Sequence, residues 1–286
     1  MSSFQKLIKY GAITFAIILA IGIITSIVSV ATGVFTFVTG NVGLGMRKGY
    51  TERFDENHKF SNVKSLDIDI STGSLEILRG EEFLVEANDV SKDFSIDLTK
   101  GGTLKIREKH RGMRFFWFDF QIKNDISTEI RVYIPENYKL NTTSIDAGAG
   151  KVMIEELNTE KFRVSAGAGL IDGYNIVADN ALIDGGVGSF AMENVSFNGM
   201  ELNCGVGKVF LEGVFQGENK IDCGVGNLDM EIRGNVDDYD IKIDNGLGQV
   251  RLNGERVSRN YNKNNNKSNS LDIDGGVGSV DLEFIE

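Results

Sequence analysis

Aspartate recurs at one position of a short motif in the second half of the chain, and a column of carboxylates is a candidate cation site. In its commonest form the motif reads I-D-x-G-x-G. Ca²⁺ prefers several carboxylate oxygens, but turn residues of this kind also hydrogen-bond nearby backbone amides. We favour the turn interpretation, because nonapeptide calcium repeats differ in period and in Asp placement. The position holds Asp146, Ser165, Asp184, Asn203, Asp222, Asp244 and Asp274.

A second candidate is the basic and aromatic segment 107–123, which reads REKHRGMRFFWFDFQIK. Such a patch on an acidic domain could contact anionic lipid headgroups or a protein partner. The alternative is a strand with alternate aromatic side chains in the core, because aromatic residues are more often buried. We accept the strand for most of the segment and keep four residues as candidate contacts. They are Arg107, Arg111, Arg114 and Trp117.

The two cysteines, Cys204 and Cys223, occupy the same position of consecutive motifs. If the motifs stack as strands, the two Cα atoms lie about 5 Å apart, which is within disulfide range. Two buried free thiols remain the alternative. The cysteines form no CxxC or Cys/His cluster, so no metal site or cofactor is expected from them.

Catalysis finds little support in this sequence. The two histidines lie in unlike contexts, and no nucleophile elbow or phosphate-binding loop is present. We therefore expect no enzyme and no catalytic residue. The net charge is −11, and residues 1–60 hold six basic and three acidic residues, so the other 226 residues carry −14. This charge disfavours nucleic acid as a partner.

The elements that position these residues follow from a repeat. The second glycines of consecutive motifs are separated by 19, 19, 19, 19, 22 and 30 residues. Such a period is typical of a solenoid, in which the glycines form tight turns. The expected turn glycines are Gly148, Gly150, Gly167, Gly169, Gly186, Gly188, Gly205, Gly207, Gly224, Gly226, Gly246, Gly248, Gly276 and Gly278.

Apolar and polar residues alternate around each motif, as in residues 279–284, and this period of two predicts strands with one buried face. The fold class is therefore all-β, a single-stranded parallel β-helix or β-solenoid with rungs of about 19 residues. Residues 66–77 predict a degenerate first rung. The longer steps predict insertions at turns, and residues 260–270 should project as a polar loop.

One transmembrane helix is expected before this domain, because no charged residue occurs from Tyr10 to Met46. Lys6 and Lys9 favour a cytoplasmic N-terminus, which places the rest of the chain outside the cytoplasm. A signal peptide cleaved after Ala31 is the alternative. The predicted organisation is a cytoplasmic N-terminus (1–9), an anchor (10–38, core 11–31), a linker (39–60) and the solenoid (61–286). Within the solenoid, 61–140 are irregular and 141–286 regular.

The succession of an apolar anchor, LDIDISTGSLEI, VYIPENYKL and repeated I-D-x-G-x-G-x-V turns resembles the bacterial putative-adhesin β-solenoid family. The resemblance covers about residues 60–286 and implies an envelope domain of unassigned function with no catalytic residues. It also implies a loose association with envelope-stress systems.

Two functions are therefore expected to compete. The first is a membrane-anchored, extracytoplasmic interaction or adhesin-like module with a protein partner in the envelope. The second is a carbohydrate-binding or carbohydrate-active domain, with or without Ca²⁺.

Overall fold

The computed structural model describes residues 53–108 and 128–285. Within this part of the chain, no helix has the length and apolar character that crossing a membrane requires. The predicted anchor at 10–38 lies outside the described residues. Residues 53–60, which the sequence analysis assigned to the linker, form the first strand of the sheet.

The described residues form an all-β fold whose single short helix is a 3₁₀ turn at Val236–Asp238. Fourteen strands belong to one sheet. In chain order they are β1 Arg53–Phe60, β2 Ser65–Gly80, β3 Phe83–Ser91, β4 Phe94–Leu98, β5 Thr103–Glu108, β6 Glu129–Pro135, β7 Lys139–Ile154, β8 Leu157–Tyr174, β9 Ile176–Arg233, β10 Tyr239–Leu247, β11 Val250–Leu252, β12 Glu255–Val257, β13 Asn260–Lys263 and β14 Asn269–Ile285.

Neighbouring rungs pair in parallel with the register of the sequence repeat. Ile145 of β7 pairs with Val164 of β8, and Val164 pairs with Ile183 of β9. The long strand β9 runs through three consecutive rungs. The predicted parallel stack of 19-residue rungs is confirmed, and its columns contain like residues because each step of 19 returns the chain to the same position.

The rung predicted at residues 66–77 is present, but it is not the outermost rung in space. Strand β2 pairs in parallel with β7, so that Ile68 lies beside Ile145 and Gly73 beside Gly150. A further rung lies on the other side of β2 and is divided between two strands: β5 pairs with the first half of β2, and β6 with the second half.

The order of rungs in space differs from their order in sequence at the C-terminal end. The last strand, β14, pairs with β9 on one side and with β10 on the other. The rung that contains β10 and β11 is therefore the outermost parallel rung. Strand β14 follows it in the sequence but lies between it and β9. The extra residues of the 22- and 30-residue steps lie between rungs, as predicted, and include the 3₁₀ turn at Val236–Asp238 and strands β12 and β13.

Antiparallel strands cover both ends of the stack. At one end β4 pairs with β5, and β3 pairs with β6 and β1. At the other end β13 pairs with β10, and β12 pairs with β11. Residues 260–263 thus belong to the sheet, and the prediction of a loop that projects there is wrong. The next residues also pack down: the Asn265 backbone N–H donates to Asp240 Oδ1 at 2.7 Å. Such caps block the edge pairing that an open stack would invite.

Candidate interaction surface at the glycine corner

The glycine motifs form one corner of the solenoid, where each rung packs closely on the next. The second glycine of each motif has a positive φ, as at Gly226 with +150°. A methyl group on Gly226 would lie 1.7 Å from the carbonyl oxygen of Gly207 in the neighbouring rung. Only glycine combines this backbone conformation with such a close approach. These glycines therefore shape the corner and offer no side-chain chemistry of their own.

The residue between the two glycines points outward and is a large aliphatic residue in five consecutive rungs. Their side chains are 37% to 62% exposed. Parallel pairing of Val225 with Val277 and of Val277 with Leu247 sets three of them side by side. At about 4.8 Å a rung, the five extend for about 19 Å. We call this row the valine ridge; it consists of Val187, Val206, Val225, Val277 and Leu247, in spatial order.

Sequence reasoning missed the valine ridge, although its signal was present. The motif reads G-V-G four times and G-L-G once, whereas exposed turns usually hold small or polar residues. Exposed apolar residues that occur singly need no explanation, but a continuous row is unusual on a soluble domain. Half of the large apolar side chains that are exposed in the described chain lie in this row.

The residue three positions before each ridge residue is acidic in four of the five rungs, and these side chains follow the ridge along one side. Asp222, Asp274 and Asp244 lie in consecutive rungs because the register pairs them directly. In the described chain no group of three or more His, Cys, Asp or Glu residues is arranged to hold a metal ion. The side-chain hydrogen bond seen in this column runs between rungs: Asn203 Nδ2 donates to Asp184 Oδ1 at 2.8 Å. It thus differs from the turn-amide bonding that we expected.

We call Asp222, Asp274 and Asp244 the acidic column; it also affects the pKa of a neighbouring lysine. The pKa of Lys242 is raised, chiefly because its ammonium donates to Asp272 at 2.9 Å, and further because Asp244 and Asp274 are close. The carboxylates of Asp244 and Asp274 form no ion pair within the described residues. The negative potential beside the valine ridge is therefore available to an approaching cation or basic side chain.

The two cysteines form a disulfide in the adjacent column, one residue before the first glycine of each motif. Their Cα atoms are 4.7 Å apart, as stacking at the rung spacing predicts. The bond links two rungs that also contribute Val206 and Val225 to the ridge. It therefore reinforces the centre of this surface.

Of the four contact residues predicted from sequence, only Arg107 lies in the described chain. Its guanidinium forms an ion pair with Asp67, and it donates to the Asp67 backbone carbonyl at 2.8 Å. This arginine therefore holds β5 against β2 and has little freedom to bind a partner. Arg111, Arg114 and Trp117 lie outside the described residues.

In the described residues, stacked parallel rungs, capped ends and a glycine corner define a β-solenoid that carries an exposed apolar ridge. The chain belongs to the Toastrack DUF4097 family, which matches residues 61–282. No curated protein matches the sequence significantly.

Two solved structures show the extent of the similarity. A putative cell adhesion protein from Clostridium sporogenes ATCC 15579 is 17% identical with a TM-score of 0.39, over 82% of this chain and 100% of that one. A putative adhesin from Bacteroides fragilis NCTC 9343 is 14% identical with a TM-score of 0.44, over 81% and 97%. Similarity at this level carries no functional argument.

Proposed function

We propose that the protein is a membrane-anchored, extracytoplasmic interaction module, adhesin-like in role, that binds a protein partner of the cell envelope through the valine ridge. The observation that carries the proposal is the row of five exposed aliphatic side chains on a rigid, glycine-packed corner. Aliphatic side chains supply no acid–base or nucleophilic chemistry, so the surface suits binding and not catalysis. The uncharged segment from Tyr10 to Met46 supports the anchor.

The partner should present an apolar stripe bordered by lysine or arginine. The stripe would cover the valine ridge, and each valine that becomes buried contributes about 1 kcal/mol. The basic border would face the acidic column, whose carboxylates at Asp222, Asp274 and Asp244 have no ion-pair partner among the described residues. Because every rung holds its corner in place, little conformational entropy is lost on binding.

Site-specific photo-crosslinking in native membranes tests this proposal. A photoreactive amino acid at Val206 of the full-length protein should give a discrete protein adduct, and the same group at Leu98 should not. Leu98 is a matched control because it is 37% exposed, as Val206 is, but lies in β4, away from the ridge. Val225→Asp should reduce the Val206 adduct at least about tenfold, because it places a charge in the apolar contact.

The crosslinked peptide of the partner identifies the contact chemistry. We expect an apolar segment flanked by basic residues. Equal adducts at Val206 and Leu98, or a Val206 adduct that Val225→Asp leaves unchanged, would exclude the ridge as the binding surface. Recovery of the protein without any adduct would do the same.

A further inference from the structure

A cavity of about 380 Å³ opens at a second corner of the solenoid, away from the valine ridge. There the chain turns through asparagines with left-handed backbones, including Asn175 with φ of 55° and Asn194 with φ of 53°. Asparagine tolerates this conformation better than most residues. Four asparagine side chains line the cavity, together with apolar residues and two arginines. The asparagines are Asn137, Asn158, Asn175 and Asn194.

A chain of hydrogen bonds sets the orientation of two of these carboxamides. Arg233 Nη1 donates to Asn194 Oδ1 at 2.6 Å, and Asn194 Nδ2 donates to Asn175 Oδ1. The Asn175 side-chain Nδ2 forms no hydrogen bond within the described residues, so it can donate to a ligand. The side chains of Asn137 and Asn158 form no hydrogen bond within the described residues, so each offers both a donor and an acceptor.

The charged groups of the cavity are already neutralised. Arg79 Nη1 lies 3.2 Å from Glu136 and 3.6 Å from Glu156, and Arg233 forms an ion pair with Glu212. Neither guanidinium is free to bind an anion. With the net charge of −14 on residues 61–286, this arrangement disfavours an anionic ligand.

The cavity also has an apolar part. Val177 lines it and is 45% exposed, and the lining residues Leu157 and Val195 belong to the buried core behind it. Carboxamides that can both donate and accept, beside an apolar surface, complement a molecule with hydroxyl groups on its rim and C–H bonds on its face. The volume is within the range typical of small-molecule sites.

We propose that this cavity binds one sugar unit of a neutral glycan. Asn175 and Asn158 hydrogen-bond its hydroxyl groups, and Val177, which pairs with Asn158 in the neighbouring rung, contacts its C–H face. The site is separate from the valine ridge and requires neither the acidic column nor a metal ion. Glycan binding and protein binding would therefore occur on different corners of the same solenoid.

Isothermal titration calorimetry on the full-length chain tests the proposal, in a detergent without a sugar headgroup that would compete. The probes are the neutral trisaccharides chitotriose and maltotriose. We expect saturable binding of at least one of them in the micromolar to millimolar range. Asn175→Gly, which keeps the left-handed backbone, and Asn158→Ala should each weaken binding about tenfold because each removes hydrogen bonds to the ligand.

Asn62→Gly is the matched control, because Asn62 is an exposed asparagine with φ of 60° that does not line the cavity. It should leave the affinity unchanged. The proposal is overturned if neither trisaccharide binds saturably, or if Asn175→Gly and Asn62→Gly bind equally well. Tighter binding of an acidic trisaccharide of glucuronate units would overturn the neutral specificity. None of these outcomes depends on the crosslinking at Val206, so the two proposals fail separately.

Discussion

At the scale of single residues, the glycine corner requires a residue without a side chain at the same position of every rung. The peptide carbonyl of one rung occupies the space where a Cβ would stand in the next, and the pattern continues from Gly73 to Gly248. The same corner allows the residue between the glycines to point into solvent. The valine ridge is therefore a consequence of backbone packing as much as of residue choice.

Replacement of one corner glycine should be costly. We expect Gly226→Ala to lower the free energy of unfolding by about 3 kcal/mol, because the methyl group meets the Gly207 carbonyl and φ is strained. Urea denaturation followed by circular dichroism measures this change. Gly101→Ala is the control: its methyl group would lie 3.8 Å from Thr99 Oγ1, and it should change stability by less than about 0.5 kcal/mol. Equal stability of the two variants would show that the corner tolerates a side chain.

At the scale of elements, each rung is held by its two neighbours through parallel pairing and a shared core. Aromatic rings pack between rungs inside the solenoid. The ring centroids of Phe162 and Phe197, which are two rungs apart, lie 6.4 Å apart in a stacked arrangement, and those of Phe197 and Phe215, in adjacent rungs, lie 6.1 Å apart edge to face. The Cys204–Cys223 disulfide adds a covalent link between two adjacent rungs. Interactions of this kind are local, so the stability of a solenoid is approximately a sum of neighbour contributions.

Removal of the disulfide should destabilise the domain measurably. The bond closes a loop between residues 19 apart, and the chain-entropy model assigns about 3 kcal/mol to a loop of that length. The double variant Cys204→Ala/Cys223→Ala should show this loss in urea denaturation, since alanine already occupies the same column at Ala147 and Ala166. A reducing agent should destabilise the wild type equally and leave the double variant unchanged. A wild type insensitive to reduction would contradict a stabilising role for the bond.

At the scale of the whole molecule, the order of the rungs is the property that most affects how the domain is built. Strand β14 supplies hydrogen bonds to both β9 and β10, so the last residues of the chain complete the interior of the stack. The C-terminal end of the solenoid consequently depends on residues that a simple sequential stack would place outermost. The valine ridge is continuous for the same reason, because Val277 lies between Val225 and Leu247.

A truncated chain tests the spatial order of the rungs, in which β14 lies between β9 and β10. In a protein that ends at Ser268, β10 loses its parallel neighbour, and we expect its amides to exchange with solvent at least about tenfold faster in hydrogen–deuterium exchange. The amides of β7 serve as an internal control and should keep their protection, because β2 and β8 still flank them. Unchanged protection of β10 in the truncated chain would contradict the dependence of this rung on β14.

Sequence alone determined the repeat, the strand content and the glycine turns, because a period of 19 and an alternation of two are direct consequences of stacking with one buried face. It also predicted the Cys204–Cys223 distance, since residues one period apart must lie one rung apart. Only the tertiary structure decided the position of β14. The motifs at 221–226, 243–248 and 273–278 are so alike that any two of them could pair, and their spacing in the sequence does not predict which pairs form. The asparagine cavity was equally hidden, because its lining comes from side chains between residues 79 and 233 that only the stacked fold brings together.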